Sequence, residues 1–299
     1  MKSVRVSAYA KVNLRLDVLG RRADGYHELR TVFQAISLHD TLVLQATRKP
    51  GIELRIAGNS QLAGEPGQDN LVYRAIQELG REIGLRQGVL AVLTKRIPVG
   101  RGLGGGSSDA AAALLGLLRL AGKRIEAARL LEIASSLGAD VPYFLHGGRA
   151  LGIGRGDEIY PLLDVARRHM LVISPHEVAV STKDAYHWLS EELTNAAGPT
   201  KLMRFCALCW SPQGGVLSND FEAAVFPRYP RLGEIKRELL QQGAAEASLA
   251  GSGSAVFGVY QHPAKARRAA RAFPNDQVFL CSTLSRAECR RKMGGPDLV

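Results

Sequence analysis

Between Pro98 and Ser108 the chain reads PVGRGLGGGSS, and DAAAALLGLLRL follows at once, to Leu120. Small residues in succession let main-chain N–H groups converge on one concavity. A helix that starts there adds its dipole, so the stretch suits a bound anion. Ser107 and Ser108 add hydroxyls that can cap the helix or meet a phosphate or a metal ion. The structural alternative is a strand-to-helix turn packed closely on its glycines. Gly100, Gly102 and Gly105 match G-x-G-x-x-G, yet a dinucleotide fold needs a strand after the helix with an acidic residue at its end. Here a second helical pattern, IEAARLLEIASSLG, comes next. Asp109 stands where a Walker motif would bring its lysine and hydroxyl, and a protein-kinase glycine loop needs a following strand. What remains is phosphate binding of another type.

Three further places carry side chains able to act on a phosphate or an alcohol. Lys11 and Asn13 share the polar face of an alternating run, with Cβ atoms about 6.5 to 7 Å apart if the run is a strand. Asp140, in LGADVPYF, lies just beyond a helix stop and two residues before Pro142. It reads either as the N-cap of a short helix or as a catalytic carboxylate. Tyr26 and His27 close the turn RRADGYHE, where a surface aromatic and a surface histidine are the ordinary expectation.

The elements that must hold these groups follow from periodicity. Val4, Val6, Ala8, Ala10, Val12, Leu14, Leu16 and Val18 alternate with Arg5, Ser7, Tyr9, Lys11, Asn13, Arg15 and Asp17, which predicts a two-faced strand. TVFQAISL, TLVLQATR, GIELRIAG and GVLAVLTK continue as strands. NLVYRAIQELGREI has helical spacing with Asp69 or Asn70 as its cap. The glycine loop opens a helix to about Leu120, Gly138 stops a second one, and GRALGIGRGDEIYPL reads as a strand pair. Composition shifts near LLDVARRHMLVIS. The second half mixes helices (STKDAYHWLSEEL, KLMRFCALCW, RLGEIKRELLQQG) with the strand–turn–strand ASLAGSGSAVFGVY. The whole predicts an α+β protein of two domains, 1–163 and 164–299.

Bulk properties narrow the partners. The 299 residues carry a formal net charge of +11, with 46% hydrophobic and 22% charged residues. These values suit a soluble globular chain drawn to anions. Much of the excess lies in AKARRAARAF and SRAECRRKM, at a spacing that predicts solvated helix faces rather than a nucleic-acid surface. No apolar run is long enough to span a bilayer, the N-terminus lacks a secretory pattern, and four cysteines make no disulfide framework. A cytoplasmic enzyme is expected, with no nucleic-acid or membrane partner, as a monomer or weak homodimer. Cys206 and Cys209 form an isolated C-x-x-C, read as two apolar helix residues and not as a metal or redox pair.

PVGRGLGGGSSDAAAAL resembles the phosphate-binding motif of the GHMP kinases. AKVNLRLDVLGRRADGYHELRTVFQAISLHDTL and LGADVPYFLHGGRALGIGRGDEIYPL are similar to those members whose alcohol substrate is the cytidyl diphosphate of methylerythritol, and LAGSGSAVFG resembles the family's third motif. The likeness runs to about residue 260 and weakens in the basic tail. It implies an N-terminal domain like the second domain of ribosomal protein S5, a ferredoxin-like C-terminal half, and a cleft between them. It implies ATP with Mg²⁺, and phosphate contacts from Pro98, Gly100, Gly102, Leu103, Gly104, Gly105, Gly106, Ser107 and Ser108, one serine near the metal. Lys11 and Asp140 become the catalytic pair, with Asn13 beside them. Tyr26 would stack on the cytosine, His27 would bond its edge, and Tyr186 would supply the opposite face. Asn70 and Lys95 are candidates for the adenosine, and Gly251 to Ser254 for the approach from the second domain. Arg101 departs from the small residue common in the family; a phosphate contact and an outward side chain both stay open.

Overall fold

The alternating N-terminal run forms β1 (Ser3–Arg21), which pairs antiparallel with β2 (His27–Thr47) across a turn in which Asp24 Oδ1 accepts from the Tyr26 amide at 3.1 Å. The computed structural model describes residues 2–57, 67–193 and 217–293. The predicted helix KLMRFCALCW, with Cys206 and Cys209, lies outside them. β1 is not the two-faced strand that alternation predicts. Its register with β2 shifts at Tyr9/Ala10, Asn13/Arg15 and Val18/Gly20, and at the last two the extra residue lies in β1 and resets which residues face which side. Val6, Ala8 and Tyr9 enter one core, Ala10 and Val12 a second, and Leu16 and Val18 a third. One strand therefore meets three environments, and both of its faces are covered.

The first sheet runs in the order β3 (Ile52–Ala57), β4 (Gly88–Thr94), β2, β1, β8 (Ser218–Asn219). The 21-residue β2 pairs with β4 along Thr41–Thr47 and with β5 (Arg149–Gly154) along Leu29–Gln34. β6 (Glu158–Pro161) completes the hairpin with β5. Helices α1 (Leu71–Glu82), α2 (Gly105–Ala121), α3 (Ala127–Leu137) and α4 (Val141–His146) cover this sheet. Asn70 caps α1, its Oδ1 accepting from the Val72 amide at 2.9 Å. An Asn70→Ala variant is expected to lose about 1 kcal/mol of stability, read as a shift in the urea unfolding midpoint.

The second sheet contains β7 (His169–Ser174), β9 (Glu246–Leu249), β10 (Val256–Tyr260) and β11 (Gln277–Ser282), all antiparallel, in the order β11-β7-β10-β9. Counted along the chain that order is fourth, first, third, second, the ferredoxin-like arrangement. Around it stand α5 (Thr182–Leu193), α6 (Phe221–Val225), α7 (Pro230–Gln241) and α8 (Pro263–Ala269). The last helix, α9 (Arg286–Met293), crosses back and buries Cys289 and Met293 in the first core. Its Arg290, Arg291 and Lys292 stay exposed, as do Lys265, Arg267 and Arg268 of α8, so both basic stretches present solvated faces. Among the described residues no helix is long and apolar enough to cross a membrane.

Candidate active site

The glycine loop joins β4 to α2, and α2 opens at a glycine, not at either serine. Gly104 is the N-cap at φ +70°. A Cβ there would lie 2.7 Å from Phe144 Cζ and 3.1 Å from Lys11 Cγ, so only glycine fits. Ser107 falls in the first turn, and the Ser108 amide already donates to the Gly104 carbonyl at 2.9 Å. The amides of Gly105, Gly106 and Ser107 thus precede the first helical bond and have no intrahelical acceptor. No acidic side chain occupies that turn, so the positive end of the dipole is not neutralised locally. The serines part ways. Ser107 lines the open cleft, whereas Ser108 is buried, its Oγ without a hydrogen-bond partner.

Lys11 and Asp140 meet beside this loop. Nζ stands 3.5 Å from Asp140 Oδ2, 2.9 Å from Asn13 Oδ1 and 5.4 Å from the centre of the Phe33 ring. Lys11 is 5% exposed and Asn13 1%, which overturns the solvated-strand reading of this face. The amide of Asn13 is oriented by a chain of bonds. Thr31 Oγ1 gives its proton to the Arg15 carbonyl at 2.7 Å and accepts from Asn13 Nδ2 at 2.7 Å, leaving Oδ1 for Lys11. Asp140 does occupy the N-cap position of α4 but makes no capping bond. Its carboxylate turns to the cleft. The Lys11 amide donates to the Leu103 carbonyl at 3.0 Å, which ties β1 to the loop while the Leu103 side chain fills the core below.

At the far end of the cleft the aromatic residues gather. Tyr26 is 55% exposed, with the Arg155 guanidinium 5.0 Å from its ring centre. His27 stacks on Tyr186, centroids 4.7 Å apart at 22°, and Tyr186 meets Phe221 edge-on at 4.8 Å. Ser190 Oγ donates to the Tyr186 carbonyl at 2.8 Å, so it accepts from His27 Nε2 at 2.7 Å. That assignment leaves Nδ1 as the acceptor. Burial, helped by the charge of Arg21, pushes the His27 pKa down, so the ring is neutral at pH 7. Burial also raises the Tyr186 phenol, with a smaller contribution from Asp140.

Lys95, which on sequence is either an adenosine contact or a strand-edge charge, borders the cleft with its ammonium held by two acids. Its Nζ bonds Asp40 Oδ2 and, at 2.6 Å, Asp109 Oδ2, while Asp40 Oδ1 accepts from the amides of Arg96 and Ile97. Burial alone would lower the lysine's pKa, but the charges of Asp109 and Asp40 outweigh it and raise it. Asp40 escapes sequence reasoning. The signal available was an acid among the alternating apolar residues of a strand, in ISLHDTL. Thr31, Ser190 and Arg155, which orient Asn13, His27 and Tyr26, leave no pattern of their own.

All of these groups line one cleft of about 1090 Å³ between the two sheets: the loop from Pro98 to Ser107, Lys11, Asn13 and Asp140, then Tyr26, His27 and Tyr186. Of the expected phosphate contacts Ser108 does not line it, and of Gly251 to Ser254 the last two do not. Gly251 and Ser252 reach in from the second domain. The models of the GHMP kinase N-terminal and C-terminal domains match residues 70–148 and 202–278.

This chain belongs to the GHMP kinases.

As a GHMP kinase it is a phosphotransferase that draws its phosphoryl group from ATP. The chain is 43% identical over 298 residues to the 4-diphosphocytidyl-2-C-methyl-D-erythritol kinase of Solibacter usitatus, covering 97% of this chain and 91% of the relative. It is 42% identical to the enzyme of that name from Geobacter sulfurreducens, covering 90% and 94%. A crystal structure of 4-(cytidine 5'-diphospho)-2C-methyl-D-erythritol kinase superposes with TM-score 0.78 at 35% identity, covering 94% of this chain and 99% of that one. Homoserine kinase from Cytophaga hutchinsonii, at TM-score 0.71 and 22% identity, shares the GHMP fold. The two-domain α+β expectation therefore stands.

Proposed function

We propose that this GHMP kinase transfers the γ-phosphoryl group of ATP to the 2-hydroxyl of 4-diphosphocytidyl-2-C-methyl-D-erythritol. The products are the 2-phosphate and ADP, a step of the non-mevalonate route to isoprenoids. The observation that carries the reading is the two-ended cleft: glycine amides with a lysine–carboxylate pair at one end, an aromatic cluster at the other. Relatives of that name, similar along nearly the whole chain, support the substrate.

Phosphoryl transfer asks for positioning and charge compensation more than for covalent chemistry. The free amides of Gly105, Gly106 and Ser107, with the loop from Pro98 through Gly100, Gly102, Leu103 and Gly104, hold the triphosphate. Asp140 takes the proton from the acceptor hydroxyl as its oxygen bonds the γ-phosphorus and the bond to ADP breaks. Lys11 offsets the developing charge on the acceptor oxygen, and Asn13 fixes both the lysine and the acceptor. Mg²⁺, which keeps most of its waters and needs few protein ligands, fits the Ser107 hydroxyl in the cleft and Asp109 Oδ1, which has no hydrogen-bond partner. When bound, it would neutralise phosphate charge. Tyr26 offers an exposed ring for the cytosine. His27 Nδ1 is an acceptor suited to the exocyclic amine of the base, and Tyr186 closes the other side. The domains divide at 163/164, between β6 and β7, with α9 returning to the first.

The test is ADP release by the purified protein with ATP and either the cytidyl substrate or homoserine. Turnover with the cytidyl substrate alone is expected; comparable kcat/KM on homoserine overturns the reading. Stacking on one base is worth about 1 to 3 kcal/mol. Tyr26→Ala should therefore raise KM for the cytidyl substrate about 5- to 150-fold and leave KM for ATP unchanged. Equal effects on both would remove Tyr26 from base recognition.

A further inference from the structure

Arg101 leaves the glycine loop toward the second domain. Its Nη1 donates to Ser254 Oγ at 2.6 Å and its Nη2 to the His176 carbonyl at 3.4 Å. Ser254 Oγ sends its own proton to the Val178 carbonyl at 2.6 Å, so the hydroxyl is fixed as an acceptor for the guanidinium. The backbone beneath is equally constrained. Ala255 N donates to the Arg101 carbonyl at 3.2 Å, and at the adjoining Gly102 (φ +76°) a Cβ would lie 1.8 Å from the Ala250 carbonyl oxygen. The side chain is thus placed by the second domain while belonging to the first.

Its electrostatic situation is unlike that of the arginines paired elsewhere on the chain. Arg22, Arg129, Arg155 and Arg231 each reach a carboxylate. Arg101 has no carboxylate partner among the described residues; both of its acceptors are neutral. Partial burial lowers its pKa with no acid to offset the effect. A guanidinium carries five N–H donors in a planar fork, and only two are used. The remaining edge belongs to a cation that lines the cleft between Gly100 and Gly102. A fork of this kind matches phosphate oxygens better than any other acceptor of the reaction.

We infer that Arg101 is a phosphate-binding residue for the nucleoside triphosphate, its guanidinium set by Ser254 to take oxygens of the polyphosphate chain as that chain crosses the glycine loop. The inference rests on the proposal that ATP lies at that loop. It gives the departure from a small residue at this position a chemical content: one charge added to the lip of the anion site. The hydrogen bond to Ser254 makes the contact depend on both domains.

Equilibrium binding of ATP, ADP, AMP and adenosine to the full-length protein and four variants tests it. Arg101→Ala is expected to weaken ATP about 10- to 100-fold, in the range of one charge-assisted contact, and to leave adenosine within about twofold. Adenosine binding reports that the variant is folded. Arg101→Lys should recover part of the loss, because the charge returns without the fork. Ser254→Ala should weaken ATP less than Arg101→Ala does. Equal loss of ATP and adenosine affinity in Arg101→Ala and Ser254→Ala would reduce the residue to a strut between domains. Unchanged ATP affinity in Arg101→Ala would end the inference, and so would an effect confined to the KM of the alcohol substrate. Gly106→Asp separates the two layers. Gly106 is exposed, with room for a Cβ, and a carboxylate there should repel a triphosphate at the helix start. If that variant binds ATP normally, the placement of ATP at the loop fails and takes Arg101 with it. If it loses ATP while Arg101→Ala does not, only Arg101 falls.

Discussion

Asp140→Asn is expected to fold and bind ATP as the parent protein does, and to lose about 10²- to 10⁴-fold in kcat, the contribution of a positioned base. The geometry argues for the lower half of that range. A largely dissociative transition state leaves the proton on the acceptor oxygen until late, so a missing base costs less than in acyl transfer. Stability should hardly change. The Asp140 side chain is 33% exposed, and an ion pair reaching solvent contributes about 0 to 1 kcal/mol. Lys11 keeps the Asn13 carbonyl oxygen and the Phe33 ring. KM for both substrates should stay within about twofold, because the lost interaction belongs to the transition state. Single-turnover rates with ATP and the cytidyl substrate, beside an ATP titration, give the answer. A kcat near that of the parent would leave Asp140 with no part in proton transfer.

What the sequence carried, and what it could not, follows from the range of the forces involved. Short-range signals were readable. The alanine run after the glycines, the cap at Asn70, the stop at Gly138 and the β5–β6 hairpin all rest on contacts within a few residues, and the structure has them. The glycine loop was legible as a candidate anion site because its amides are local. The face assignment of β1 was not. A two-residue period cannot register an inserted residue, and three register shifts in 19 residues, two of them with the extra residue in β1, spread its side chains among three cores. Lys11 consequently looked solvated on a strand covered on both sides. The strand order of the second domain depends on pairings up to about a hundred residues apart, such as Ser174 with Gln277, and no local pattern encodes them.

The candidate site divides the same way. Asp140 was ambiguous between a cap and a base, since the residue types before a proline are the same for either. The structure gives its side chain no capping bond and turns it toward Lys11 from another element, which favours the second reading. Ser107 and Ser108 were equivalent on paper; the helical turn exposes one and buries the other. Tyr186 reaches His27 across 159 positions, so its place in the aromatic cluster was beyond any local reading. Asp40 and its pairing with Lys95 are the sharpest omission, because a charge in a core declares itself only through its partners.

Removing the cation from that buried cluster should have the largest effect on stability. Lys95→Met keeps the length of the side chain but leaves Asp40 and Asp109, both almost fully buried, without their shared counter-charge. Breaking a buried pair by deleting one partner costs about 3 to 5 kcal/mol, because the remaining charge is uncompensated. Asp109 bears most of it. Asp40 Oδ1 keeps the amides of Arg96 and Ile97, whereas Asp109 Oδ1 has no hydrogen-bond partner. Burial already pushes the Asp109 carboxyl well above the ordinary range, Lys95 opposes that rise, and Asp40 adds to it. Without Lys95 the rise grows. The sign of the pH dependence follows. A carboxyl whose folded pKa exceeds its unfolded value favours the folded state at low pH and disfavours it increasingly above about pH 4, where the unfolded chain gives up its proton freely. The stability gap between parent and Lys95→Met should therefore be wider at pH 8 than at pH 5. In the parent, the raised Lys95 pKa places its own contribution wholly below the alkaline range, so it stays constant between those two values. Urea unfolding at both pH values measures the gap. Adding Asp109→Asn should recover part of the loss, since it removes the less well satisfied of the two anions, and comparison with Asp109→Asn alone gives the coupling energy of the pair. A gap below about 1 kcal/mol that ignores pH would mean the two carboxylates find other compensation. The same lysine lies 3.4 Å from where a Cβ of Gly105 would be, so the floor of the phosphate loop rests on this cluster, and ATP affinity should fall along with stability.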